Sequence, residues 1–187
     1  MKSVARASAF SLLLSLGIGL AGCSGVSYNS DYDPTIDFSG FQTYVWASPP
    51  QDAGPNPRGV DQISERRIAS AVDAQLAEKG YRLIEYGEPD FVVNFILTTQ
   101  QKVDYTTYNS GWGYYGYYGG GVGMSHTTAR EWTEGTLLID VIDVKEQDLA
   151  WRGWANGALS ENLTPEQKTQ RVNEVVGKIL EKFPPQS

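Results

Sequence analysis

The sequence predicts a single α+β domain in which a largely antiparallel, mixed sheet of about five strands packs against two helices. Two observations lead to this fold class. Short runs rich in β-branched and aromatic residues are separated by turn residues, and two longer segments show the 3.6-residue apolar period of amphipathic helices. No internal repeat is visible in the 187 residues, so residues 34–187 are assigned to one domain.

Five segments have the composition of strands. The first covers 42–47, and the second, "YRLIEY", is separated by the turn "GEPD" from the third, "FVVNFILTT". Six of the nine residues in the third segment are apolar, which predicts a central strand buried on both faces. The last two strands form a hairpin around "KEQD". Trp151 and Trp154 in the final strand should face opposite sides, with at least one in the core.

The first helix is predicted over residues 62–79. Asp61 is suited to the N-cap position and Gly80 to the position just past the end. An apolar face follows from the helical spacing of Ile63, Ile68, Val72 and Leu76.

The second helix has the clearest signals in the chain. Thr164 and Gln167 form a capping box, Pro165 occupies the first helical position, and two prolines follow the end. The apolar residues recur with the helical period and are Val172, Val175, Val176, Ile179, Leu180 and Phe183.

An apolar N-terminal run ends at the only cysteine, in "SLLLSLGIGLAGCSG". Lys2 and Arg6 precede this run, which is shorter than the roughly 20 residues that span a bilayer, so residues 1–22 are predicted to be a signal peptide. The motif "LAGC" resembles a bacterial lipobox, where a signal peptidase cuts before a lipid-modified cysteine. Cys23 is therefore the expected lipidation site, within a lipidated N-terminus and tether over residues 23–33.

A lipidated Cys23 would make the membrane a permanent partner, because each buried methylene of an acyl chain contributes about 0.8 kcal/mol. Ser24 follows the cysteine in place of Asp, which by resemblance to enterobacterial lipoproteins favours sorting to the outer membrane. The expected location is the outer membrane, facing the periplasm. The alternative is that Cys23 is an ordinary small apolar residue of a signal or membrane helix.

Charge excludes some classes of partner. Removal of Lys2 and Arg6 with the leader changes the net charge from −7 to about −9. Nucleic-acid binding depends largely on neutralising phosphates with basic side chains, and adhesion to an anionic bilayer by charge alone needs them too. A nucleic-acid partner is therefore not expected.

Residues 104–123, "DYTTYNSGWGYYGYYGGGVG", form a low-complexity segment with six of the eleven tyrosines. Glycine at this density opposes regular structure, so a long hairpin connection is predicted. Aromatic side chains offer large contact area at low entropic cost and can stack on sugar or peptide. The segment is a candidate binding surface for an envelope protein, peptidoglycan or the membrane interface. The alternative is a hairpin whose tyrosines pack back on the sheet or stay disordered. The candidate residues are Tyr108, Trp112, Tyr114, Tyr115, Tyr117 and Tyr118.

No residue pattern points to catalysis, a cofactor or a metal. His126 is the only histidine, whereas a zinc site usually needs three or four ligands. Asp140 and Asp143 have a spacing that directs them to opposite faces of a strand. The segment containing Asp33 and Asp37 lacks the glycine and glutamate of a calcium loop. We expect no catalytic residue and no metal ligand.

With these elements placed, the chain resembles the bacterial lipoproteins grouped as domain of unknown function 4136 along nearly its whole mature length. The matching pieces are "DYDPTIDFSGFQTYVWA", "LAEKGYRLIEYGEPDFVVNF", the Gly/Tyr-rich insert, "EGTLLIDVIDVKEQDLAWRGWANG" and a terminal amphipathic helix closing on "FPP". A fainter likeness is to domains of periplasmic lipoproteins that assist secretion or peptidoglycan synthesis. The resemblance implies a location and a fold, and it implies no reaction.

The sequence therefore predicts a non-catalytic, lipid-anchored binding or structural module of the cell envelope. The alternative is a hydrolase of cell wall or lipid with an unrecognised carboxylate site. Two acids converging in a closed pocket would favour the hydrolase, and a flat aromatic groove would favour the binding module.

Overall fold

The computed structural model describes residues 25–48, 58–109, 125–160 and 162–185. The strands in these ranges form one sheet in the order β1-β6-β5-β4-β2-β3. β2 is parallel to both of its neighbours, and the other pairs are antiparallel. The predicted α+β fold with a mixed sheet and two helices is confirmed. The elements are β1 (Ser27–Tyr32), β2 (Thr43–Trp46), α1 (Gln62–Glu78), β3 (Arg82–Leu83), β4 (Phe91–Asn109), β5 (Ser125–Asp143), β6 (Leu149–Ala158) and α2 (Pro165–Leu180).

Both helices pack against one face of the sheet and close a single core. Phe91, Val93 and Phe95 of β4 are fully buried on this face, as expected for alternate residues of a strand. Trp151 of β6 is buried as well, whereas Trp154 points to the other side and is only partly buried, as predicted. The same core takes in Ile68, Val72 and Leu76 of α1 with Val176, Ile179 and Leu180 of α2.

The predicted caps set the helix ends. The Asp61 carboxylate accepts the N–H of Ile63 at 2.8 Å, and Thr164 forms a capping box with Gln167. Gly80, just past α1, has a φ of +92°, a conformation that glycine adopts without steric cost. Ile63 departs from the predicted apolar face of α1, because its side chain is exposed.

The segment predicted as a tether contains an edge strand, so the tether prediction is wrong for residues 27–32. β1 pairs antiparallel with β6, and Tyr28 lies opposite Ala155. Tyr28 packs against the core while its strand neighbours remain mostly exposed. A polar edge strand has little apolar periodicity, and backbone pairing with β6 is what places it in the sheet.

The segment 81–86 forms much less strand than predicted. Only Arg82 and Leu83 pair, in parallel with Thr43 and Tyr44 of β2. β2 lies between β3 and β4, so these two strands, which are consecutive along the chain, are not neighbours in the sheet. α1 supplies the crossover that connects the parallel strands β2 and β3. A sixth strand and this parallel pairing distinguish the structure from the five-strand expectation.

β4 is a central strand, but it is buried on one face only, so the expectation of burial on both faces is wrong. Val92, Asn94 and Ile96 alternate with the buried residues and keep partial exposure. Both helices occupy the same side of the sheet, and no described element covers the other side, which we call the open face.

Candidate functional site

The most prominent feature of the sheet is a two-stranded extension of β4 and β5. β2 pairs with β4 only up to Val93, and β6 pairs with β5 only from Glu134 onward. The ribbon formed by residues 101–109 and 125–133 therefore has no third strand beside it among the described residues. We call this ribbon the arm. At about 3.4 Å per residue it projects roughly 30 Å beyond the rest of the sheet.

Each face of the arm carries an aromatic side chain among polar and charged ones, and Glu131 lies directly opposite Val103. Val103 and Tyr105 lie on one face and are 45% and 69% exposed. On the other face Lys102 lies opposite Trp132 and its Nζ is 3.4 Å from the Glu134 carboxylate. Such ion pairs are screened by water and contribute little stability. The arm thus presents apolar and aromatic surface without a core beneath it.

The arm carries the start of the predicted binding surface. Residues 104–109 belong to β4 instead of the loop to which they were assigned, and Tyr108 pairs in register with His126 near the end of the ribbon. The two strands that flank this segment, β4 and β5, pair antiparallel, as a hairpin prediction requires. The remaining candidates lie outside the described residues, as does Cys23: Trp112, Tyr114, Tyr115, Tyr117 and Tyr118.

An ion pair on the open face was not predicted. Arg152 Nε donates to Asp140 Oδ1 at 2.6 Å and its Nη2 donates to Oδ2 at 2.8 Å. The two residues are directly opposite each other on β6 and β5. The spacing around the "KEQD" hairpin does not reveal this pair. A regular register continued from Ile142 and Leu149 would place Asp140 opposite Trp151, and the one-residue shift between Val141 and Ile142 brings Arg152 there instead. The apolar residues Ile96, Leu138 and Trp154 form the neighbouring row of this face.

A cleft of about 960 Å³ lies at the end of the sheet opposite the arm. Lys145 is the one basic residue among the described residues that line it. We call it the acidic cleft. Its carboxylates are those of Asp33, Asp37, Glu88, Asp90, Asp143, Glu146 and Asp148.

Several of these carboxylates hold turns. Asp33 and Asp37 each accept a backbone N–H from two residues further on, at 2.8 and 2.9 Å, and Asp143 accepts two such groups at 2.7 and 2.9 Å. Hydrogen bonds from the hydroxyl and N–H two residues on lower the pKa of Asp33 and of Asp37. These contacts hold Asp33 and Asp37 in their turns and favour the ionised form of both carboxylates.

Asp90 ties the start of β4 to the start of β2. Its Oδ2 accepts the N–H of Gln42 at 3.0 Å and both the N–H and the hydroxyl of Thr43 at 2.8 Å. Burial opposes ionisation of Asp90, but these hydrogen bonds, together with the nearby Arg82 charge, outweigh burial and lower its pKa.

We expect Asp90→Asn to lower the free energy of unfolding at pH 7 by about 1 kcal/mol, because the amide replaces a charged acceptor of three hydrogen bonds. The folded-state pKa of Asp90 lies below its ordinary value of 3.8. Its contribution is therefore complete above that value and is lost as the pH falls through the folded-state pKa. Urea unfolding between pH 7 and pH 3 should show the variant and the parent converging at the acid end. A difference that stays constant over this range, or an equal effect of Asp148→Asn, would contradict the assignment.

A second cleft, of about 390 Å³, lies on the helix side of the sheet at the base of the arm. Ile68 of α1, Leu137 of β5 and Val172 of α2 contribute to its lining. We call it the apolar cleft.

Two further properties concern the described ranges as a whole. No group of three or more His, Cys, Asp or Glu side chains within them is arranged to hold a metal ion. None of the helices within them combines the length and apolar character needed to cross a bilayer.

Comparison with known proteins gives a family and a fold. Residues 28–185 match the family model described as domain of unknown function DUF4136. A search of curated proteins found no significant match.

Among solved structures, the chain is similar to a PDZ domain protein from Parabacteroides distasonis, with 13% identity and a TM-score of 0.54. The match covers 87% of this chain and 36% of that protein, so the chain spans about a third of its length. It is also similar to the PelC dodecamer from Paraburkholderia phytofirmans, with 11% identity and a TM-score of 0.47. That match covers 87% of this chain and 99% of the PelC chain. At 13% identity, the likeness to the PDZ domain protein concerns the fold alone.

Proposed function

We propose a function for a chain that belongs to the family of domain of unknown function 4136: it is a lipid-anchored binding module of the bacterial envelope, and the arm is its contact element. The observation that carries the proposal is the arm itself. An isolated two-stranded ribbon is at best marginally stable in water, and this one presents exposed Val103 and Tyr105. Contact with a partner would bury that surface and stabilise the ribbon.

The chemistry of the arm suits a protein or glycan partner. Tyr105 is exposed, and Trp132 on the opposite face is only partly buried. Such aromatic rings bind both polypeptide and sugar at low entropic cost. The Gly/Tyr-rich segment that connects the two strands of the arm adds more of the same side chains. An envelope protein or peptidoglycan is the partner class we propose, and no step of catalysis is involved.

The anchor in this proposal is a lipid on Cys23, supported by the lipobox-like "LAGC". Only one residue separates Cys23 from the first described residue, Gly25, and β1 begins at Ser27. At no more than about 3.6 Å per residue, a lipid on Cys23 would hold β1 close to the membrane. The proposed location is the periplasmic side of the outer membrane.

The test is site-specific photocrosslinking in intact cells of the native host. A photoreactive phenylalanine analogue replaces Tyr105, which is on the arm, or Tyr86, which is 90% exposed but lies in the turn before β4. We expect a discrete crosslinked product from Tyr105 and none from Tyr86. Removing residues 108–123 should abolish the product without changing the circular dichroism of the remaining domain.

Equal products from both positions, or none from Tyr105, would contradict the role of the arm. The anchor is tested separately by mass spectrometry of the protein purified from its host. An unmodified thiol on Cys23, or a retained leader, would contradict the proposed location and leave the result for the arm intact.

A further inference from the structure

The apolar cleft at the base of the arm has a buried apolar floor. Ile68, Leu137 and Ala155 are buried at its floor, and Leu97 and Val175 are partly buried on its sides. Its volume of about 390 Å³ falls within the range of small-molecule sites, which are mostly apolar with a few polar groups at the edge.

Two glycines leave the sheet bare at one end of this cleft. Gly135 of β5 and Gly157 of β6 face each other in register. A Cβ on Gly135 would come within 2.7 Å of Leu159 Cδ2, and one on Gly157 within 2.7 Å of Val26 Cγ2. Leu159 and Val26 therefore lie directly on the backbone, where they close the end of the cleft. Leu159 and Val26 can occupy this end of the cleft because the two glycines have no side chains.

The charged residues among the described lining of the apolar cleft all have the same sign. Arg67, Lys168 and Arg171 line it, and none of its described lining residues carries a carboxylate. Arg67 Nε is oriented by donating to Thr169 Oγ1 at 2.9 Å, while Arg171 shares a 3.4 Å contact with Glu174. In a chain of net charge −7, this concentration of positive charge beside an apolar cavity favours an anionic ligand with an apolar part.

We propose that the apolar cleft binds a long-chain fatty acid, with the hydrocarbon chain between α1, α2 and the sheet and the carboxylate near Lys168 and the two arginines. A single apolar tail matches the lining, and one negative charge matches the cationic edge. This activity goes beyond contact through the arm and requires neither the arm nor lipidation of Cys23.

The probe is palmitate that carries a diazirine on its chain. It is added to the mature, full-length protein in phospholipid nanodiscs, irradiated, and mapped by peptide mass spectrometry. We expect labelling of peptides that contain Ile68 or Leu159–Val175. Unlabelled palmitate should compete at least tenfold better than hexadecanol, which has the same chain and no charge.

Two matched pairs of variants on the helices separate the cleft from the general surface. Lys168→Glu should reduce labelling about fivefold or more, the factor that corresponds to about 1 kcal/mol for a partly exposed ion pair. Its control is Arg66→Glu, at an exposed position of α1 outside the cleft, which should change labelling less than twofold. Val172→Trp fills the cleft and should abolish labelling, while Asn173→Trp on the exposed side of α2 should not. Thermal unfolding confirms that each variant is folded.

The proposal would be overturned if the label were spread over the surface or confined to the arm. It would also be overturned if the two variants of each matched pair reduced labelling equally. Labelling of a Cys23→Ala protein but not of the lipidated protein would also overturn it, because the cleft would then be occupied by the chain's own acyl group. None of these outcomes bears on crosslinking through Tyr105, so the two proposals fail separately.

Discussion

Replacing Phe91 with alanine is expected to lower the free energy of unfolding by about 3–5 kcal/mol, the usual cost of removing a fully buried aromatic side chain. Phe91 is 0% exposed and lies where β4 begins. Its ring stacks on Phe41 at 5.0 Å and on Tyr44 at 5.5 Å between centroids, and it meets Tyr81 edge-on at 5.4 Å. The substitution would leave a cavity at the junction of β2, β4 and the end of α2, since Phe183 also contacts this ring.

Urea unfolding followed by tryptophan fluorescence measures this effect. Tyr86→Ala is the control, because Tyr86 is almost fully exposed and its loss should change the free energy of unfolding by less than about 0.5 kcal/mol. A loss below about 1.5 kcal/mol for Phe91→Ala would show that neighbouring rings refill the space, against the packing described above.

Gly153→Ala is expected to destabilise the protein by about 1–3 kcal/mol, the range found when a well-packed core is overfilled. Gly153 lies on the buried face of β6, beneath the indole of Trp151 and the side chain of Ile179 on α2. A Cβ at this position would sit 2.6 Å from Ile179 Cγ2 and would collide with the indole ring. Either α2 must move away from the sheet or Trp151 must leave its rotamer.

The matched control for this substitution is Gly40→Ala, since a Cβ at Gly40 would meet nothing within 4 Å. Both changes add one methyl group and both remove glycine's extra freedom in the unfolded chain. Thermal unfolding should show a lower melting temperature for Gly153→Ala only. Equal melting temperatures would mean that the close contact of β6 with α2 does not limit stability.

The candidate surfaces are distributed along the sheet. The acidic cleft occupies the end where β4 begins and β5 finishes, and the arm projects from the other end. The apolar cleft lies at the base of the arm, where the N–H of Leu159 donates to the carbonyl of Thr133 at 2.8 Å. A ligand in this cleft would therefore lie beside the origin of the contact element.

Little of this arrangement could be predicted from the sequence. The Gly/Tyr-rich composition located the hairpin and its aromatic content, but the arm exists because neither β2 nor β6 continues alongside it. The apolar cleft depends on Gly135 and Gly157 facing each other in register, and they are 22 residues apart along the chain. The positive charge at its edge comes from two different helices. Such features result from long-range pairing, which local patterns do not encode.

Local chemistry alone determined the helices, their caps, the hairpin around "KEQD" and the opposite orientations of Trp151 and Trp154, because each depends on residues a few positions apart. The lipobox-like motif likewise predicted an anchor from adjacent residues. Tertiary structure decided that β1 is a strand, that β2 lies between β3 and β4, and that both helices cover the same face. These outcomes follow from which backbone edges and apolar surfaces meet, and that depends on the whole chain packing at once.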